Sequence, residues 1–120
     1  MSQDESRKFC EKFNSHLVEI NSEEENTAIL AEIGQQGFHS RNIEFWLGIT
    51  DRHSEGNWVL ESTGESLPFS KWETSQPDDG GEGEDCAHLG STGKWNDRFC
   101  EVEMQHWNGN DYIYTALCEI

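Results

Sequence analysis

Residues 75–86 read SQPDDGGEGEDC, and this stretch limits the possible folds more than any other. Six of its twelve residues are acids or an amide, three are glycines and one is proline. Such a segment offers no apolar face for a strand or a helix to bury, so it must be a loop. Its carboxylates repel one another unless solvent or a cation lies between them. Gly80, Gly81 and Gly83 let the backbone turn tightly there. The chain has 120 residues, which suits a single domain spanning 1–120. Only 33% of the residues are hydrophobic, yet five Trp and six Phe supply large buried areas on which such a loop can be mounted.

The remaining elements follow from periodicity. Residues 6–15, SRKFCEKFNS, are expected to form a short helix with Phe9, Cys10 and Phe13 on one side. HLVEI at 16–20 reads as a strand. Ser22 and Glu25 form a capping-box pattern that opens a second helix, with Ala28, Ile29 and Ile33 on its apolar stripe and Gly34 and Gly37 at its end. FWLGI at 45–49 is a continuous apolar run, as a buried strand requires. Further strands are expected at 57–60, 67–72, 87–89, 93–95 and 112–118. Two helices followed by an antiparallel sheet make an α+β arrangement. Trp46, Trp58, Trp72 and Trp95 lie on or beside these strands and read as core.

Charge and cysteines narrow the function. A net charge of −16 disfavours nucleic acid and anionic membrane surfaces and favours neutral or cationic partners, metal ions included. No segment is apolar over the length that a membrane span needs. Cys10, Cys86, Cys100 and Cys118 contain no CxxC pair, so they suit two disulfides in an oxidising, extracellular compartment rather than a zinc cluster; three pairings are open. No nucleophile–base pattern is present, so the chain is not read as an enzyme.

The loop offers Gln76, Asp78, Asp79, Glu84 and Asp85 as oxygen donors. Calcium takes about six to eight oxygen ligands, which converge most readily from loops. Two other stretches add donors beside apolar anchors: TDRHSEG, with Asp51 and Glu55 just after FWLGI, and KWNDRFC, with Asn96 and Asp97 after Trp95. The spacing is not that of an EF-hand. His53 and His88 read as solvated neighbours of these acids that would oppose a cation when protonated.

These pieces together, WLGI at 46–49, ITD with EG at 49–56, QPD at 76–78, EDC at 84–86, WND at 95–97 and CE at 118–119, resemble the C-type lectin-like carbohydrate-recognition domains. The resemblance covers residues 6–120 and implies the family's fold: two helices and sheets with a long calcium-binding loop region. It implies that Gln76, Asp78, Glu84, Asn96 and Asp97 hold a calcium ion that also takes sugar, through two adjacent hydroxyls. It implies a second, structural calcium site at Asp51, Glu55, Asp79, Glu84 and Asp85, disulfides Cys10–Cys118 and Cys86–Cys100, and a cis peptide at Pro77.

The order Gln76-Pro77-Asp78 resembles the members that bind galactose and N-acetylgalactosamine; mannose-type specificity is the alternative. Those members often stack the sugar on an aromatic residue just after the motif, where this chain has Asp79 and Gly80. Trp107 or Tyr112, in the unusually long Cys100–Cys118 segment, is a candidate for that role. The family also has a strand before the first helix, whereas this chain starts almost at the helix, so an open edge on the C-terminal strand is expected. The resemblance further implies a secreted protein that assembles for avidity and acts in innate immunity or in the capture of food particles. Competing readings are an acidic lectin-like protein of calcium carbonate mineral and a lectin-like domain that binds protein or ice.

Overall fold

A computed structural model of the chain describes residues 1–74, 76–77 and 83–120. Helix α1 (Gln3–Glu11) starts earlier than its apolar pattern predicts because Ser2 caps it. The Ser2 hydroxyl accepts from Glu5 N–H at 3.2 Å, and the Glu5 carboxylate accepts from Ser2 N–H at 2.9 Å. The inward face is Gln3, Ser6 and Cys10. Phe9 and Phe13 are exposed instead, edge to face with ring centroids 5.3 Å apart. The bond from Cys10 to Cys118 turns that face inward. Strand β1 (His16–Leu17) follows, then α2 (Glu23–Gln35), whose cap Ser22 accepts from Glu25 N–H. The Glu25 carboxylate reaches Asn21 N–H, so the expected capping box is met in its first half.

A 3₁₀ turn at His39–Arg41 leads into β2 (Ile43–Thr50), the strand that FWLGI announces. Then come β3 (Val59–Leu60), β4 (Cys86–Leu89), β5 (Trp95–Arg98), β6 (Met104–Trp107), β7 (Asn110–Thr115) and β8 (Cys118–Glu119). The large sheet runs β5-β4-β2-β7-β6, with β3 also on β2, and β1-β8 forms a separate pair. The sheet is mixed, not purely antiparallel, because β2 and β7 run parallel. A parallel pair needs a long crossover, and the segment between β2 and β7 provides it.

Three sequence expectations are corrected. Residues 67–72 do not form a strand; around them only the bridges Val59–Ser66 and Trp72–Trp95 are made. Pro68 has no N–H to give to a ladder, and the segment is held by rings. Trp72 packs on Trp58 and Trp95 at 4.8 and 5.8 Å, and Phe69 packs on Trp95 at 5.8 Å. The single strand expected at 112–118 is divided into β7 and β8. The expected open edge is covered along β7 by β6. The β6–β7 hairpin turns on Asn108 and Gly109, at φ 52° and 80°, the two left-handed positions of a tight two-residue turn.

The core has two halves joined through β2. One holds Val18, Ile33, Leu47, Ile49, Leu89 and Trp95 with their neighbours. The other surrounds the disulfides with Leu17, Trp46 and Tyr114. Both disulfides, Cys10–Cys118 and Cys86–Cys100, are formed. Asn26 ties α2 to the sheet: its amide donates to Gly93 C=O at 2.7 Å, and its oxygen accepts from the Trp95 indole at 3.0 Å.

Gly48, in mid-β2, donates to Val18 C=O at 2.8 Å, and a Cβ added there would meet the Leu17 carbonyl oxygen at 2.8 Å. Backbone cannot yield as a flexible side chain does. Gly48→Ala is therefore expected to cost about 1–3 kcal/mol, read as a lower urea midpoint. An unchanged midpoint would contradict the close packing of β1 on β2.

Candidate functional site

The end of β2 carries the buried acid. Thr50 Oγ1 donates to Asp85 C=O at 2.8 Å, and Asp51 N–H donates to the same oxygen at 3.2 Å. The strand end is thereby fixed to the residue before β4. Beyond Asp51 the chain turns back at Gly56, whose φ of 79° lets its N–H donate to Asp51 Oδ2 at 2.9 Å. Arg52 anchors the other side of this turn. Its guanidinium reaches Asp4 Oδ1 at 2.9 Å and Gln3 Oε1 at 3.3 Å, and lies 3.3 and 3.4 Å from the sulfurs of Cys100 and Cys86.

The turn brings Asp51, Glu55 and Asp85 together, with one carboxylate oxygen of each within 4.8 Å of the others. Asp51 is only 2% exposed, and its Oδ1 has no hydrogen-bond partner. Burial pushes the Asp51 carboxyl above the ordinary carboxylate range. Glu55 adds to this rise, while Asp85 and the Gly56 N–H oppose it. A buried carboxylate with an unfilled lone pair, beside two more acids, is costly without a counter-charge. All the donors are hard oxygens, the set that suits calcium rather than a thiophilic metal.

The other expected donors come from the segment before β4 and from β5. The Gln76–Pro77 peptide is cis, as the resemblance implied. Glu84 is buried just ahead of β4. On β5, Asn96 faces His88 and Asp97 faces Ala87 across the ladder. Asp97 is fully buried, and Asn96 Oδ1 is buried without a hydrogen-bond partner. Arg98 Nη1 donates to Asp97 C=O at 3.0 Å and lies 3.9 Å from Glu84 Oε2. Asp78 and Asp79 lie outside the described residues.

Beside Asn96, between β4–β5 and the β6–β7 hairpin, is a cleft of about 330 Å³. Trp107 and Tyr112 line it, their ring centroids 6.3 Å apart. His88, expected in solvent although inside the strand expected at 87–89, sits buried in its wall, because its ring packs edge-on against Trp46 and Tyr114. Burial pulls its imidazole below the ordinary histidine value, against Glu44, whose Oε1 is 3.3 Å from Nδ1 without hydrogen-bond geometry. His53 is exposed as expected.

The family model of the Lectin C-type domain matches residues 1–106. The chain belongs to the C-type lectin domain family. It is similar to the hepatic lectin of Gallus gallus, 35% identical over 107 residues that cover 88% of this chain and 48% of the relative. It is also similar to C-type lectin domain family 10 member A of Homo sapiens, 37% identical over 112 residues that cover 89% and 33%. The chain thus spans less than half the length of these curated relatives. The solved carbohydrate-recognition domain of the mouse scavenger receptor C-type lectin superposes with a TM-score of 0.75 at 34% identity, over 84% of this chain and 75% of that one.

Sequence reasoning missed Arg52, Arg98 and the cleft. Arg52 gives no signal because its partners come from distant segments, and no motif links Arg98 to Gln105 or Glu84. The hairpin did give one, in the Asn108-Gly109 pair between β6 and β7.

Asp51→Asn keeps an acceptor for Gly56 N–H and removes the buried charge. In EDTA the variant is expected to melt above the parent, and in millimolar calcium below it. At calcium a hundredfold above its Kd, the parent should gain about 2.7 kcal/mol, most of which the variant should lose. A thermal melt of both proteins in both buffers checks this, and parallel shifts would contradict it.

Proposed function

We propose that this domain binds calcium and, through it, a neutral sugar bearing two adjacent hydroxyls, of the galactose or N-acetylgalactosamine class. The observation that carries the reading is the buried, unpartnered Asp51 carboxylate oxygen set against Glu55 and Asp85. A bound cation would balance such a buried carboxylate. Asp51, Glu55 and Asp85, with Asp79 and Glu84, would hold the structural ion. Gln76, Asp78, Glu84, Asn96 and Asp97 would hold the sugar-binding ion. When bound, that ion supplies open coordination positions for hydroxyl oxygens.

The chain's own groups would do the rest. Carboxylates accept from the sugar hydroxyls, and the amides of Gln76 and Asn96 donate to them. The galactose assignment is supported by the order Gln76-Pro77-Asp78 and by relatives that include asialoglycoprotein receptor 2 of Mus musculus, 34% identical over 108 residues. Residues 1–120 would act as one binding module, with no catalytic role. So few contacts give weak single-site binding, so useful affinity would come from several domains presented together. Two disulfides suit an extracellular, secreted setting, where foreign glycans would be met. Among the described residues no helix is long and apolar enough to cross a membrane.

A glycan array probed in millimolar calcium and again in EDTA tests the reading. Signal on terminal galactose or N-acetylgalactosamine, lost in EDTA and lost in Asn96→Ala, is expected. Mannose signal that EDTA abolishes would overturn the specificity. A folded protein with no signal in calcium would overturn sugar binding.

A further inference from the structure

The hairpin of β6 and β7 makes a cleft out of what would otherwise be an open sheet face. Its walls are aromatic: Trp107 is 60% exposed and presents a ring to solvent, with Tyr112 beside it. Its floor is polar. Some of that polarity is already matched, since Gln105 Oε1 accepts from Tyr114 Oη at 2.7 Å and from Arg98 Nε at 3.2 Å. Three buried atoms there have no hydrogen-bond partner: both ring nitrogens of His88, of which Nδ1 has Glu44 Oε1 3.3 Å away, and Oδ1 of Asn96. These two residues face each other across β4 and β5 and share one side of the ladder. His88 is only 3% exposed. Buried polar atoms without partners are uncommon and call for an explanation.

The chemistry of the missing partner follows from the atoms. A neutral imidazole offers one donor and one acceptor, and Asn96 Oδ1 offers an acceptor. Hydroxyl groups, which donate and accept, satisfy the two ring nitrogens, while Asn96 Oδ1 is left for the proposed sugar-binding ion. Charge gives no preference for an ion: Arg98 and Lys94 line the cleft together with Glu44 and Glu73. The whole chain, at −16, opposes an anion. Aromatic walls over a polar floor suit a ligand with an apolar face and a hydroxyl rim. The cavity is within the size range of small-molecule sites, at its lower end.

We infer that this cleft is a second saccharide subsite, one that needs no calcium and takes a neutral sugar residue attached to the one held at the calcium site. It rests on the proposed function in one respect: the first residue of the glycan sits beside Asn96. Asn96 belongs to both places, and Arg98 spans from Gln105 in the cleft to Glu84 on the calcium side. The stacking role expected of Trp107 and Tyr112 is thereby given to the second residue of a glycan rather than to the first.

The test compares N-acetylgalactosamine with neutral di- to tetrasaccharides that end in it. Affinity is read by calorimetry in calcium. Contact is read in both calcium and EDTA from the NMR signals of the Trp107 indole N–H and the His88 ring, at millimolar glycan. At least one extended glycan should bind about tenfold tighter than the monosaccharide, the size of one good aromatic contact. Trp107→Ala should shrink that ratio toward one. In EDTA the extended glycan should still shift the Trp107 and His88 signals. If no monosaccharide binds in calcium but those signals still move, the calcium reading fails and the cleft stands. If no glycan moves them in either buffer, or the ratio survives Trp107→Ala, the cleft proposal is overturned.

Discussion

Everything in this fold is hung on β2. It pairs with β3, β4 and β7, joins the two halves of the core, and has six consecutive buried residues, Phe45 to Thr50. A strand buried on both faces must be apolar along its length, and FWLGI is. Gly48 is the exception that makes contact possible, because the backbone of β1 comes too close for any side chain. The strand ends by delivering Thr50 and Asp51 to the carbonyl of Asp85. A rigid strand thus fixes the position of a loop acid beside Glu55 and Asp85.

That placement has an energetic cost. Three carboxylates are held within reach of one oxygen-ligated ion, one of them buried and short of a partner. A chain selected for stability alone would have an asparagine or a leucine there. A cluster that costs stability in this way is the kind of local conflict that binding sites commonly carry. Arg52 limits the damage: it anchors the acidic turn to α1 and lies against the Cys86–Cys100 disulfide, close to the acids without sitting among them.

The parts legible in the sequence were those set by local rules. The apolar run of β2, the Ser22 cap and the core tryptophans all follow from side-chain type and spacing. The disulfide pairing came from the resemblance, since three pairings were open on the residues alone. What was not legible depends on partners far along the chain. Helical spacing places Phe9 and Phe13 with Cys10 on one side of the helix; the bond of Cys10 to Cys118 turns the helix so that they face out. Residues 67–72 carry strand-like composition, yet Pro68 and the Trp58–Trp72–Trp95 ring contacts hold them outside the ladder. His88 read as solvated because of the acids before it, whereas Trp46 and Tyr114, from β2 and β7, cover its ring. The cleft needed the Asn108-Gly109 turn to be read as a hairpin, and nothing local says that its residues share a cleft with those of β4 and β5.

The central claim is that these acids hold calcium ions and that one ion presents sugar. A crystal structure grown with millimolar calcium and N-acetylgalactosamine tests it most directly. The account predicts one ion among Asp51, Glu55 and Asp85, and a second touching Gln76, Glu84 and Asn96 with two adjacent sugar hydroxyls in its shell. Sugar bound away from any ion, or an ordered protein in which Asp51 Oδ1 remains unpartnered in saturating calcium, would contradict it.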